Sequence, residues 1–98
     1  DEIVRRILSV ASPERITLFG SAAAGEMSDD SDIDLLIVEK KIADRRREYL
    51  QIRRALRDIP FPFDIVLISA KWYDASKDIV GGIAHAAYKQ GRVLYAAA

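Results

Sequence analysis

Three short apolar runs, each bounded by polar or turn-forming residues, predict the strands of this chain: Arg15 to Phe19, Ile33 to Glu39 and Phe63 to Ser69. The middle run is apolar on both faces, as a strand in the middle of a sheet is. Between the strands the period changes. Ile3, Val4, Ile7 and Leu8 fall on one face of a helix over residues 2–11, which Ser12-Pro13 ends because the residue before proline avoids the α region. Residues 43–59 form the longest helix, with Tyr49, Ile52, Leu56 and Ile59 as its buried stripe. Residues 77–90 predict a last helix, weakened by Gly81-Gly82 and capped by Gly91, with a short edge strand at 92–95. Gly20 to about Met27 reads as a turn opening a short helix. The alternation gives an α/β layered fold and one domain, residues 1–98.

Composition narrows the possibilities. Half of the 98 residues are hydrophobic, enough for one core, and no apolar run approaches the ~18 residues of a membrane span. No secretory leader pattern is present, so a cytoplasmic location without membrane association is expected. Cysteine is absent and His85 is the single histidine, which excludes disulfides, thiolate zinc and a histidine-rich metal site. Fifteen basic and fifteen acidic residues cancel, so no whole-molecule attraction to nucleic acid is expected. The charge is uneven, however: residues 40–57 hold eight basic side chains against Asp44 and Glu48.

The chemistry-bearing residues lie at the strand ends. Asp32 and Asp34 are two apart, so in a strand both carboxylates aim at one spot on a segment apolar enough to be buried. Like charges there repel and are costly to desolvate. A hard cation such as Mg²⁺ resolves both problems because it takes oxygen ligands. Gly20-Ser21 ends the preceding strand in a turn whose N–H groups and hydroxyl suit phosphate. Asp64 opens the third strand on the face of Val66 and Ile68. If the second and third strands are neighbours, three carboxylates converge: two to hold metal, and a third to help take a proton from an attacking hydroxyl. Two ions ~3.5–4 Å apart are compatible with such a set. A lone Asp-x-Asp is more often a solvated strand end, and a lone Asp64 a capping residue. The joint pattern points instead to phosphoryl or nucleotidyl transfer.

Phe19-Gly20-Ser21, Gly25, Ser31-Asp32-Ile33-Asp34-Leu35-Leu36-Ile37, Phe63-Asp64-Ile65-Val66 and the tail Gly91-Arg92-Val93-Leu94-Tyr95 together resemble a minimal nucleotidyltransferase domain of the DNA polymerase β superfamily. The resemblance implies a small mixed sheet flanked by helices. It implies that Gly20, Ser21 and Gly25 hold the phosphates of a nucleotide, and that Asp32, Asp34 and Asp64 are the metal-binding catalytic triad. ATP would be the substrate and Mg²⁺ the cofactor, with a hydroxyl attacking the α-phosphorus and pyrophosphate leaving. Small free-standing members pair with a HEPN-domain protein as the antitoxin of a toxin–antitoxin system, where transfer of AMP to a tyrosine of the toxin is the implied reaction. One position departs from the pattern: Ala24 stands where the family usually has Arg, removing a phosphate-contacting guanidinium. That departure keeps open a catalytically degenerate module that acts by contact. A small-molecule transferase of the aminoglycoside type is the third reading.

Other residues carry weaker signals. The arginines of 45–57 are a solvated face or a dock for an acidic partner or an RNA backbone, with direct nucleic-acid binding not expected. His85 is structural or partner-facing. Trp72 and Tyr73 belong to the core or an interface, or stack on a base.

Overall fold

A computed structural model describes residues 2–20 and 32–97. The elements are α1 (Glu2–Leu8), β1 (Arg15–Phe19), β2 (Ile33–Glu39), α2 (Arg45–Ala55), β3 (Phe63–Ser69), α3 (Ala70–Ser76), α4 (Ile83–Gln90) and β4 (Arg92–Ala96). The strands form one mixed sheet in the order β3-β2-β1-β4. β1 runs antiparallel to β2 and β4, whereas β2 and β3 are parallel. A parallel pair needs a crossover, and α2 supplies it. The doubly apolar strand β2 lies inside the sheet, and all three strands begin and end where the sequence pattern places them.

The sheet separates two apolar layers. Ile33, Leu35 and Ile37 join Ile65 and Leu67 beneath α1 and α2, with Ile7, Ile52 and Leu56 buried against them. On the other face Leu36 and Val38 pack with Tyr73, Ala84 and Ala87 of α3 and α4. The helices are shorter than the periodicity predicts. α2 starts after Asp44, whose side chain accepts from the Arg47 N–H at 3.1 Å, and turns out of register at Leu56.

The predicted helix over 77–90 begins only at Ile83, and a separate helix that the sequence pattern did not predict, α3, precedes it over Ala70–Ser76. Ser69 ends β3 and at once caps α3, its hydroxyl accepting from the Trp72 N–H. Gly81 then takes φ +91°, a conformation that breaks a right-handed helix, and Gly82 restarts the chain into α4. His85 Nδ1 lies 2.9 Å from the Lys77 carbonyl, tying α4 to the end of α3. Gly91 has an ordinary φ but no room: a Cβ there would overlap the Ala87 carbonyl oxygen and approach Thr17 Cγ2 at 2.6 Å.

α2 also covers the outer edge of β3. Arg53 donates to the Phe63 carbonyl at 2.6 Å, and Arg45 donates to the Leu67 carbonyl. Edge carbonyls so engaged are withdrawn from pairing with another strand.

At the far end of β2, Glu39 is 5% exposed and shares a hydrogen bond with Glu48 of α2. Burial, then that hydrogen bond and the Glu48 charge, push the Glu39 carboxyl up to about 7. The folded chain therefore holds a proton there that the unfolded chain releases near its ordinary value of 4.5. Stability contributed by this pair is intact at acid pH and is lost as pH rises from about 4.5 to about 7. Glu39→Gln places an amide where the shared proton was. It is expected to flatten the fall in urea midpoint over that window and to add on the order of 1–2 kcal/mol above it. An unchanged pH slope in Glu39→Gln would refute the assignment.

Candidate active site

Parallel pairing fixes the position of the acidic residues. The register sets Asp34 opposite Asp64, then Leu36 opposite Val66 and Val38 opposite Ile68. Even-numbered residues of both strands face α3 and α4, so the two aspartates share a sheet face on adjacent strands about 4.8 Å apart. β1 approaches from the other side, with Phe19 opposite Asp34. The chain then turns through Gly20 at φ +72°, where a Cβ would overlap the Asp34 carboxylate oxygen Oδ2. Two independent demands, a left-handed backbone and a close approach to a carboxylate, therefore select glycine at this position.

Asp32 occupies the loop just before β2. It is exposed and lines a groove below the C-terminal end of α2 with Phe61, Pro62 and Phe63. Its charge still reaches the pair. The Asp34 carboxyl is pushed above the usual carboxylate range, first by burial, then by the Asp64 charge, then by that of Asp32. Among the described residues no three acidic or histidine side chains converge as a ready-made metal cage. Asp34 and Asp64 are the close pair, and Asp32 stands at the lip. Ser21, Gly25 and Ala24 lie outside the described residues.

The donor set suits a hard divalent cation: oxygens only, like-charged, with Asp34 held partly away from water. Asp34 and Asp64 would hold such an ion with Asp32 in reach, and the ion would neutralise the charge that now raises the Asp34 carboxyl.

Beside the acids the same face is apolar. Leu36 and Val66, each two residues beyond an aspartate, floor a hollow of about 320 Å³ that Trp72, Ile79 and Ile83 wall. Sequence reasoning grouped Trp72 with Tyr73, but the structure separates them: Tyr73 is 6% exposed in the core, and Trp72 is 64% exposed at the rim. The signal for this hollow was the alternation of Val66 and Ile68 on the Asp64 face, which needed the missed helix α3 to become a pocket.

Gly20→Ala is expected to cost about 2–3 kcal/mol in denaturant unfolding, since it adds left-handed strain to an overlap with Asp34. Asp34→Asn should raise the thermal midpoint in the absence of divalent metal, because it removes a like charge from a partly buried pair. Mg²⁺ should raise the midpoint of the parent chain and leave that of Asp34→Asn unmoved. Equal Mg²⁺ responses in both would refute metal binding at this pair.

Comparison with known proteins agrees with this geometry. The family model for polymerase beta nucleotidyltransferases matches residues 2–98. A crystal structure of a candidate nucleotidyltransferase from Sulfolobus solfataricus superposes with a TM-score of 0.64. It covers 97% of this chain and 75% of its own, at 24% identity, and so speaks for the fold. A search of curated protein sequences finds no match. The matched family, the mixed sheet and the paired carboxylates at its strand starts lead to one conclusion: the chain belongs to the polymerase beta nucleotidyltransferase family.

Proposed function

We propose that the chain is a Mg²⁺-dependent adenylyltransferase that moves AMP from ATP to a hydroxyl of a protein acceptor, as the antitoxin partner of a HEPN-domain toxin. The observation that carries the reading is the Asp34–Asp64 pairing with Gly20 packed on Asp34. Gly20 is exposed at the end of β1, which leaves its backbone open to a phosphate-bearing group beside the acid pair. Asp32, Asp34 and Asp64 hold the metal, which supplies positive charge against the triphosphate. The acceptor oxygen forms a bond to the α-phosphorus, the bond from that phosphorus to the β-phosphate bridge oxygen breaks, and pyrophosphate leaves. Asp64 takes the acceptor's proton in this reading, which its greater exposure than Asp34 supports. Adenine rests in the apolar hollow over Leu36 and Val66, against Trp72.

A second reading, a module that neutralises its partner by contact, is favoured by Ala24, which supplies no guanidinium to phosphate.

Incubation with α-labelled ATP, Mg²⁺ and the acceptor protein separates the two. The parent chain should transfer label to the acceptor. Asp34→Asn and Asp64→Asn should each reduce transfer by 100-fold or more while keeping the fold, by analogy with the roughly 10²–10³-fold losses when one electrostatic transition-state contact is removed. Trp72→Ala should raise KM for ATP by about tenfold with kcat little changed, the signature of lost ground-state binding. Neutralisation of the partner by Asp34→Asn as full as by the parent, with no label transferred by either, would establish the contact-only reading.

A further inference from the structure

The arginines of α2 and of the turn that follows it divide into two sets with different work. Arg45 and Arg53 are spent on the β3 carbonyls, and Arg53 also lies 5.6 Å from the Tyr49 ring centroid. Arg46, Arg47, Arg54 and Arg57 are exposed and make no ion pair with another described residue. At 100° per residue, Arg46, Leu50, Arg54 and Arg47 fall within about a third of the helix circumference, opposite Ile52. That sector is a shallow surface hollow of about 470 Å³ lined by Arg46, Arg47, Leu50 and Arg54 with Asp44 and Gln51 at its edges. A second hollow, of about 450 Å³, shares Leu50 and Arg54 with the first and continues past Arg57 and Phe61 to Asp32. One cationic channel therefore runs along α2 and opens at the lip of the acidic site.

We propose that this channel docks an acidic, amphipathic face of the acceptor protein. The inference rests on the protein-acceptor reading above and adds the chemistry of the acceptor's contact surface. Charge complementarity requires an anionic occupant, since four guanidinium groups without an ion pair among the described residues meet Asp44 at one end, Asp32 at the other and Asp58 at the edge beside Arg54. The apolar content selects among anions. Leu50 is 44% exposed and Phe61 53%, and both line the channel between the arginines. A phosphodiester backbone would use the arginines and leave Leu50 wet, whereas a protein face carrying carboxylates beside aliphatic side chains uses both. The formal net charge of zero also gives a polyanion no long-range attraction. From Arg46 to Arg54 the helix advances about 12 Å, the reach of two turns of a partner helix, and Arg57 lies in the turn beyond it. An acceptor seated there places its neighbouring surface at Asp32.

The test measures docking without catalysis. A fluorescein-labelled helical peptide with glutamates on one face and leucines on the adjacent face is titrated with the full chain, without Mg²⁺ or ATP, and binding is read by anisotropy. The parent should bind, and its affinity should fall about tenfold or more between low and physiological salt, because the contacts are exposed and screened. Arg46→Gln/Arg54→Gln/Arg57→Gln, which spares the arginines that hold β3, should weaken binding at least tenfold. Lys71→Glu, on α3, and Asp34→Asn should bind as the parent does. Peptide binding unaffected by the triple substitution, no binding by the parent, or tighter binding of a single-stranded RNA of equal charge would each overturn the proposal. With the acceptor protein in hand, label transfer separates the two readings. Loss of transfer in Asp34→Asn with docking intact bears on the chemistry alone. Intact transfer at saturating acceptor in the triple variant, with KM unmoved, bears against this channel alone.

Discussion

A parallel strand pair has a register that the side-chain period makes unforgiving. Sliding β3 by one residue along β2 would turn every side chain to the opposite face. Asp64 would then face Leu35 and Ile37 under α1 and α2, where the core is fully apolar, and Ile65 and Leu67 would be turned out of it. The burial pattern prevents this. Ile33, Leu35 and Ile37 must meet Ile65 and Leu67 on one face, and that match leaves Asp34 opposite Asp64 on the other. The acid pair is thus a consequence of how the core closes. A core of this kind can impose the repulsion that the two carboxylates bring, because unmatching them would expose five large aliphatic side chains to water.

The same strand carries a second raised carboxyl at its other end, and the two differ in cause. Asp34, on the even face, is held up by burial and by the charges of Asp64 and Asp32, whereas Glu39, on the odd face, is held up by burial and by a hydrogen bond to Glu48. A proton shared within the helix–sheet layer resolves the Glu39–Glu48 conflict internally. Asp34 and Asp64 have no such resolution among the described residues, and Asp64 is open to solvent. An unresolved charge at an accessible place is where a ligand gains most by binding.

Much of this was legible in the sequence, for identifiable reasons. β1, β2 and β3 were read to the residue because each is an apolar run bounded by polar or turn-forming residues: Arg15 and Gly20, Asp32 and Glu39, Pro62 and Ser69. The resemblance gave the mixed sheet and the nucleotidyltransferase fold, both of which hold. Helix α3 was missed because Ser69 does two tasks at once, ending β3 and capping the helix. With no loop between β3 and α3, no turn signal marked the change of period, and the Gly81-Gly82 break was treated as a weakness within one helix. The contact of Gly20 with Asp34 was also out of reach, because it depends on where the β1 turn lies across the sheet. The phosphate-turn residues Ser21 and Gly25 fall outside the described residues, so their assignment still rests on the motif.

α2 shows how much one helix can be asked to specify. Its Ile52 and Leu56 side chains close the core, and its first turn receives Glu39 through Glu48. Arg45, in the first turn, lies in line with that buried stripe and Arg53 on its flank, and both bend back onto β3. A lysine would serve less well there, since the planar guanidinium reaches a carbonyl while its stem covers apolar surface. Only the sector farthest from Ile52 is left without a structural task, and that is where the unpaired arginines and Leu50 gather. A purely solubilising surface would mix charges of both signs, as α1 does with Glu2 between Arg5 and Arg6. Segregating one sign over three turns, in a chain whose total charge is zero, disfavours the solvated-face explanation and favours recognition of an anionic surface.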